Sequence, residues 1–552
     1  MLTLRSRAER ATILPGLGRD DAMLGVPARR SRVYPPVVVW LLAALVTVAL
    51  SLPLVYVLLR ALEGGTATWR VVVRPHTINV LANTILLAGS VGIAATVIAV
   101  PLAWLTTRTD LPGRRWWATA AALPLVIPSY VGALAMVAAL GPRGLLQQVL
   151  GQWFGIERLP AIYGFWGAWL TLTLFTYPYV FLNVRAALRG IDPSLEEAAR
   201  CLNRGPWRTF AGCTLPQLRP AIAAGALLAA LYAVGDFGVV ALLRFDSLTR
   251  AIYVQYRSTF DRSAAAALAL LLVLFAATLL LAEARARGRA AYYRIGGGAG
   301  RRAHPVPLGR WRYPALAFCA AVIGLALGLP AVVLGYWFAH GAAGQTAMHS
   351  LLSAAAGSAE VGLVAAIVAT VVGLPVAVLA VRYPGRLGSL AEQLSYLGYA
   401  LPGIVVALAF VFFGVRTPIY QTMPLLIAAY VVRFLPQAIG ASRLSLLQVS
   451  PHLEEAARGL GRSSLGAVAR VTVPLARPGL LAGAALVFLT VVKELPITLL
   501  LRPTGFSTLA TEVWTAAGTG KLGAAAAPAL LLILVSAVPA SLLAARDRAA
   551  EA

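Results

Sequence analysis

Charge is scarce in this chain. Of its 552 residues only 12% are charged and 59% are hydrophobic, whereas a soluble domain carries roughly twice that charged fraction. A chain of soluble domains is excluded, which leaves a polytopic membrane protein. Lysine is nearly missing too. Lys493 and Lys521 are the only lysines among 47 basic residues, which outnumber 21 acidic ones and give a net charge of +26. In a soluble protein that excess would point to nucleic acid. Here the arginines lie between apolar runs, as topogenic charge on cytoplasmic loops does, and no nucleic-acid partner is expected. Cysteine is limited to Cys201, Cys213 and Cys319, with no close-spaced pair, which argues against disulfides and a thiolate metal site. The five histidines are scattered without metal-ligand spacing. Ser/His/Asp arrangements cannot be assembled from so few histidines and acids, so no catalytic residue and no bound metal are expected. The first 33 residues hold arginines but no apolar core, unlike a cleavable signal peptide.

What is abundant is apolar sequence of spanning length. A bilayer core of about 30 Å needs about 20 helical residues. Twelve segments satisfy this, near 37–61, 80–106, 116–141, 161–187, 220–243 and 263–284, then 313–338, 357–381, 390–415, 418–442, 478–501 and 522–545. The fold class is therefore all-α. The expected layout is a tail at 1–33, a first six-span half at 34–284, a Gly-, Pro- and Arg-rich linker at 285–311, a second half at 312–545 and a tail at 546–552. Arginines crowd the N-terminal tail, the loop around Arg108, Arg114 and Arg115, the loop from Arg189 to Arg208, and the linker, whereas 339–356 has neither Lys nor Arg. The positive-inside rule then puts both termini in the cytoplasm. The loop 244–262, with Arg244, Arg250, Arg257 and Arg262, is an exception on the outer side, partly offset by Asp246 and Asp261.

The halves repeat each other. LEEAARCLNRGPWRTFAGCTLPQLRP (195–220) returns as LEEAARGLGRSSLGAVARVTVPLARP (453–478), at an offset that also matches Pro178 with Pro436 and Gly225 with Gly483. PSYVGALA (128–135) echoes PGIVVALA (402–409) at a slightly larger offset. Both halves run in the same direction, as in a parallel repeat about an axis along the membrane normal. The duplicated polar stretch falls in cytoplasmic loops at 189–220 and 444–478. Asp192-Pro193 and Ser450-Pro451 read as helix starts, with Glu196, Glu197, Glu454 and Glu455 in the first turns, where acidic charge suits the helix dipole. A polar helix presented twice by pseudo-symmetry suits a two-fold partner; topology alone would require only positive charge.

These loops carry the EAA---G---------I-LP signature, and the chain resembles the permeases of binding-protein-dependent ABC importers over essentially all of 37–545. The second copy matches at Glu455, Ala456, Ala457, Gly461, Val471 and Pro474; the first has Glu197, Ala198, Ala199, Leu215 and Pro216, with Asn203 in place of glycine. Asn tolerates left-handed backbone, so the turn is expected to survive. The resemblance implies that these loops, Glu196 and Glu454 included, are coupling helices inserting into two copies of an ABC ATPase. It also implies a periplasmic binding protein as second partner, lipid around the spans, and a place in the bacterial inner membrane. Two fused halves, with GDFGVVALLRFDSLTRAIY (235–253) and KELPITLLLRPTGFSTLATEVW (493–514), look like the ferric-iron type. Thiamine, phosphonate and sulfate permeases are alternatives within the class, and an ion-gradient-driven secondary transporter is the rival outside it. No Walker A motif is present: in GTGKLG (518–523) Lys521 is followed by Leu522, and Thr515 stands where the first glycine belongs. ATP hydrolysis is thus expected in a partner, with no cofactor bound by this chain.

Asp236 and Glu494 occupy equivalent repeat positions near predicted spans. A carboxylate at the bilayer centre costs about 2.5–3.5 kcal/mol on insertion scales. Two readings stand: a pair lining the translocation path, whose hard oxygens suit Fe³⁺, or groups near the outer interface paired with Arg244, Lys493 or Arg502. Arg433 is a further buried-charge candidate. Tyr177-Pro178-Tyr179 reads as packing or pore wall.

Overall fold

The computed structural model describes residues 35–288 and 305–551 apart from 143, 156–159, 204, 259–260, 342–344, 384, 386–387, 389 and 391–400. The expected tail at 1–33, most of the linker, and the start of the ninth expected span lie outside the described residues.

Each half contributes seven principal helices. The first half has α1 (Val37–Glu63), α2 (Pro75–Arg108), α3 (Ser129–Leu140), α4 (Phe165–Gly190), the loop helix α5 (Pro193–Cys201), α6 (Leu215–Gly235) and α7 (Arg262–Gly288). The second has α8 (Gly309–His340), α9 (Gln345–Arg382), α10 (Gly403–Gly414), α11 (Met423–Gln448), the loop helix α12 (Pro451–Gly459), α13 (Val473–Val492) and α14 (Leu522–Glu551). Among the described residues ten segments are long and apolar enough to cross a membrane. Helices α4 and α10 occupy the places of the other two expected spans. Helix α14 runs through the expected C-terminal tail to Glu551.

Three expected spans are interrupted, each for a local reason. The third breaks at Pro124 and Pro128, between a helix at Arg114–Ala120 and α3; Ile127 is extended, as a residue before proline tends to be. The fifth ends at Gly235, where Asp236 is extended, and restarts at Gly238–Leu242. The eleventh ends at Val492 and restarts at Pro496–Leu501, with proline in the first helical turn. At each of the last two breaks a threonine hydroxyl donates to the buried carbonyl: Thr249 to that of Asp236 at 2.9 Å, and Thr498 to that of Glu494 at 2.7 Å. Irregular backbone inside a membrane protein is tolerated where it is buried in protein or lines a cavity.

Among the described residues three π-helical turns occur, at Phe210–Thr214, Gly324–Gly328 and Val468–Thr472, each followed within two residues by a proline, Pro216, Pro330 or Pro474. Proline lacks the amide donor and its ring crowds the carbonyl one turn back; a widened turn absorbs both defects.

In each half the second, fourth and fifth spans form the central packing unit, α2, α4 and α6 matching α9, α11 and α13. The first span of each half reaches over the other. Helix α1 packs on α9 and α10, where the Tyr56 hydroxyl donates to the Phe412 carbonyl at 3.0 Å, and α8 packs on α2 and α3. The end of the linker docks beside Arg108: the Val306 amide donates to the Arg108 carbonyl at 2.8 Å, and the Leu308 amide to Asp110 at 2.9 Å. In the arginine-rich loop 244–262, Arg250 pairs with Asp246, and Arg244 stacks over the Tyr163 ring, 5.2 Å from its centroid.

Candidate functional site: a shared cavity and two loop helices

Asp236 and Glu494 line one cavity of about 240 Å³ at the boundary between the halves. Both sit at the interruptions just described, both are buried, and each carboxylate accepts the amide that restarts its chain: Val239 at 2.8 Å for Asp236, Ile497 at 3.4 Å for Glu494. Their remaining partners differ. The Ser129 hydroxyl donates to Asp236. Glu494 lies 3.5 Å from Arg433, whose guanidinium also donates to the Leu401 carbonyl at 2.9 Å. In the register that pairs Pro178 with Pro436, Arg433 matches Phe175; both line the cavity. In the register that pairs Pro128 with Pro402, Ser129 matches Gly403. A Cβ at Gly403 would lie 2.6 Å from Glu494 and 2.8 Å from Arg433, so glycine makes room for the ion pair where serine serves the lone aspartate. Lys493 turns across the boundary and donates to the Leu125 carbonyl of the first half at 3.0 Å. Glu494 thus pairs with Arg433 rather than with the expected Arg244, Lys493 or Arg502; Arg244 stacks over Tyr163 and Arg502 donates to the Phe506 carbonyl. Lys493 is adjacent in sequence, but its ammonium is directed to a backbone carbonyl.

Tyr130, Tyr179 and Tyr232, with Gln437 and Thr490, add to the polar wall. Of the Tyr177-Pro178-Tyr179 cluster, Tyr177 is core and Tyr179 is wall. The contributions of Ser129, Tyr130 and Tyr232 escaped the sequence reading; the signal was the proline at 128, which aims the first turn of α3 at the break after α6.

The second feature is the pair of loop helices. Both begin at the expected prolines. Asp192 caps α5 by accepting the Ser194 amide at 3.0 Å. The matching cap does not form: Ser450 adopts extended backbone but makes no side-chain cap bond to α12. Asn203 is left-handed at φ 57°, as is Gly461 at φ 82°, so both copies make the same turn with different residues. The two glutamates of each copy part company. Glu196 is turned inward, 3.6 Å from Arg108 and accepting from the Thr214 hydroxyl at 2.9 Å. Glu454 accepts from Arg382 and from the Thr472 hydroxyl, both at 2.6 Å. Glu197 is half-buried and Glu455 exposed, the latter 3.2 Å from the His452 ring. Ala198 and Ala456 face outward, and Ala199 is buried while Ala457 is half-buried. Pro216 and Pro474 lie just past the π turns that lead into α6 and α13. At matching positions Leu202 is 76% exposed and Leu460 is 86% exposed, a pair of apolar knobs that the signature itself does not include.

Comparison with known proteins places this architecture. The chain is 33% identical over 516 residues, 92% of its own length and 98% of the relative's, to the Fe(3+)-transport system permease protein FbpB 2 of Haemophilus influenzae. It is 25% identical over 498 residues, 84% of this chain and 71% of the relative, to the ferric transport system permease protein FbpB of Actinobacillus pleuropneumoniae. Over a shorter stretch of 160 residues, 28% of this chain and 69% of the relative, it is 34% identical to the molybdenum transport system permease protein ModB of Escherichia coli. One family description matches it twice, over residues 21–287 and 369–551, once in each half. The doubled loop helices, the shared cavity and these two matches agree, and the chain belongs to the family of binding-protein-dependent transport system inner membrane components.

Proposed function

We propose that this permease carries ferric iron, handed to it by a periplasmic binding protein and driven by two copies of an ABC ATPase docked on α5 and α12. The observation that carries the cargo reading is the convergence of two carboxylates, Asp236 and Glu494, on one cavity between the halves, alongside similarity to ferric permeases over nearly their whole length. Carboxylate and phenol oxygens are hard donors that suit a hard cation. Arg433 beside Glu494 weakens the pull on that side, which favours passage over retention. The ATPase surface is the outward face of the loop helices: Glu197 and Glu455, Ala198 and Ala456, the turns at Asn203 and Gly461, and the exposed Leu202 and Leu460. With these loops and the linker end on one side, both termini face the cytoplasm by the positive-inside rule.

The cargo is tested by uptake of radiolabelled ferric iron in cells lacking the chain and its partners, with chain, ATPase and binding protein added back and labelled thiamine in parallel. ATP-dependent iron uptake is the expected result; thiamine uptake without iron uptake would overturn the iron reading and leave the coupling loops standing. For the docking face, replacing Glu197 and Glu455 together with alanine should weaken ATPase co-purification while the spans stay folded. Wild-type association together with wild-type transport would refute the assignment.

A further inference from the structure

Each loop helix is fastened to its own half by the same three side chains. Arg108, the last residue of α2, reaches Glu196 and donates to the carbonyls of Leu188 at 2.9 Å and Ile191 at 3.3 Å, at the end of α4. Arg382, the last residue of α9, donates to Glu454 and to the Val449 carbonyl at 2.9 Å, just past α11. Thr214 and Thr472 close each clamp from the final residue of the π turn. The arginines follow the register of the PSYVGALA echo and the glutamates that of the loop repeat. One geometry thus arises from two separately spaced pairs of residues, as a retained device would.

Stability alone is a poor reason for such a clamp, because a buried ion pair seldom outperforms apolar packing. Its geometry does something packing does not. It joins the loop helix at one point to the end of α2, the end of α4 and the start of α6. Helix α6 has 21 residues, about 31 Å at 1.5 Å per residue, and at its far end is Asp236. Helix α13 likewise runs from Thr472 to the Lys493-Glu494 break. We propose that Glu196 and Glu454 are positioning residues: they convert displacement of the loop helices into movement of α6 and α13, and so of the cavity carboxylates. This rests on the ATPase docking described under Proposed function. The outward glutamates hold the partner; the inward ones pass on its motion.

The test uses the full complex of chain, ATPase and binding protein in proteoliposomes, comparing wild type with Glu196→Gln/Glu454→Gln. The readout is the stimulation of ATP hydrolysis by the binding protein, because that signal has to cross from the far side of the spans to the ATPase through α6 and α13. The expected result is a complex that still assembles and hydrolyses ATP unprompted, with stimulation reduced about tenfold or more. Uptake should fall with it, and Glu196→Asp/Glu454→Asp should restore part of both. If the loss is merely structural, unprompted and stimulated hydrolysis fall together and their ratio stays at the wild-type value, which overturns the proposal. Should the glutamine variant fail to fold, Thr214→Val/Thr472→Val decides, because it keeps both ion pairs and removes only one hydrogen bond from each clamp: a reduced ratio supports the proposal and an unchanged one overturns it. Stimulated hydrolysis without iron uptake in the wild type would sink the cargo reading alone. Failure of the wild-type ATPase to co-purify would sink the docking reading.

Discussion

Replacing Arg433 with methionine isolates the cation that pairs with a cavity carboxylate. Methionine keeps much of the side-chain volume and removes the charge, the 3.5 Å ion pair with Glu494 and the hydrogen bond to the Leu401 carbonyl. Glu494 is then left 8% exposed, still accepting one long amide bond from Ile497. Stripping one partner from a buried pair costs about 3–5 kcal/mol, mainly through the charge left behind. The Arg433 side chain is 20% exposed toward the cavity, where water screens the remaining charge, so the lower end, about 3 kcal/mol, is the expected loss. Adding Glu494→Gln removes the stranded charge and should recover most of it. Thermal unfolding of the purified permease in detergent ranks the three proteins: wild type above the double variant, and the double variant well above Arg433→Met. If Arg433→Met melts with the wild type, or the double variant melts no higher than the single, the carboxylate does not depend on the guanidinium and the account of the cavity's charges is wrong.

Gly225 and Gly483 hold α6 against α4 and α13 against α11. A Cβ would meet the Val180 Cα at 2.7 Å in one case and the Ala441 Cβ at 2.8 Å in the other, so alanine at either should destabilise by about 1–3 kcal/mol, measured as a lower melting temperature in detergent. The turn after α5 should accept Asn203→Gly without loss, while Asn203→Ala costs about 1–2 kcal/mol because its φ of 57° is left-handed; ATPase co-purification reads this out.

Much of this was legible because a repeat is its own control. The positions of α5 and α12, their parallel relation and the equivalence of Asp236 with Glu494 followed from matched residues, and the family settles the choice against a gradient-driven carrier. The breaks at 236 and 494 were hidden because apolar sequence continues past them, and hydropathy does not register a carboxylate that caps a restarting helix. The inward turn of Glu196 was hidden because EEAAR presents two glutamates in succession, and only the clamp, whose arginine lies on a distant span, separates them. Arg108 had been counted for topology alone. The missing cap at Ser450 shows the reverse: a good local start, with proline present, needs no side-chain bond.

The unequal walls of the cavity have a consequence for how such a pore can change. A permease assembled from two copies of one polypeptide would place an arginine at this position in both walls or in neither, so each substitution would shift the charge of the passage by two. Two halves on one chain release that constraint. Arg433 faces the cavity where the other half presents Phe175, and a single codon change moves the balance by one unit. Fusion thus halves the smallest step by which selection can adjust what passes through.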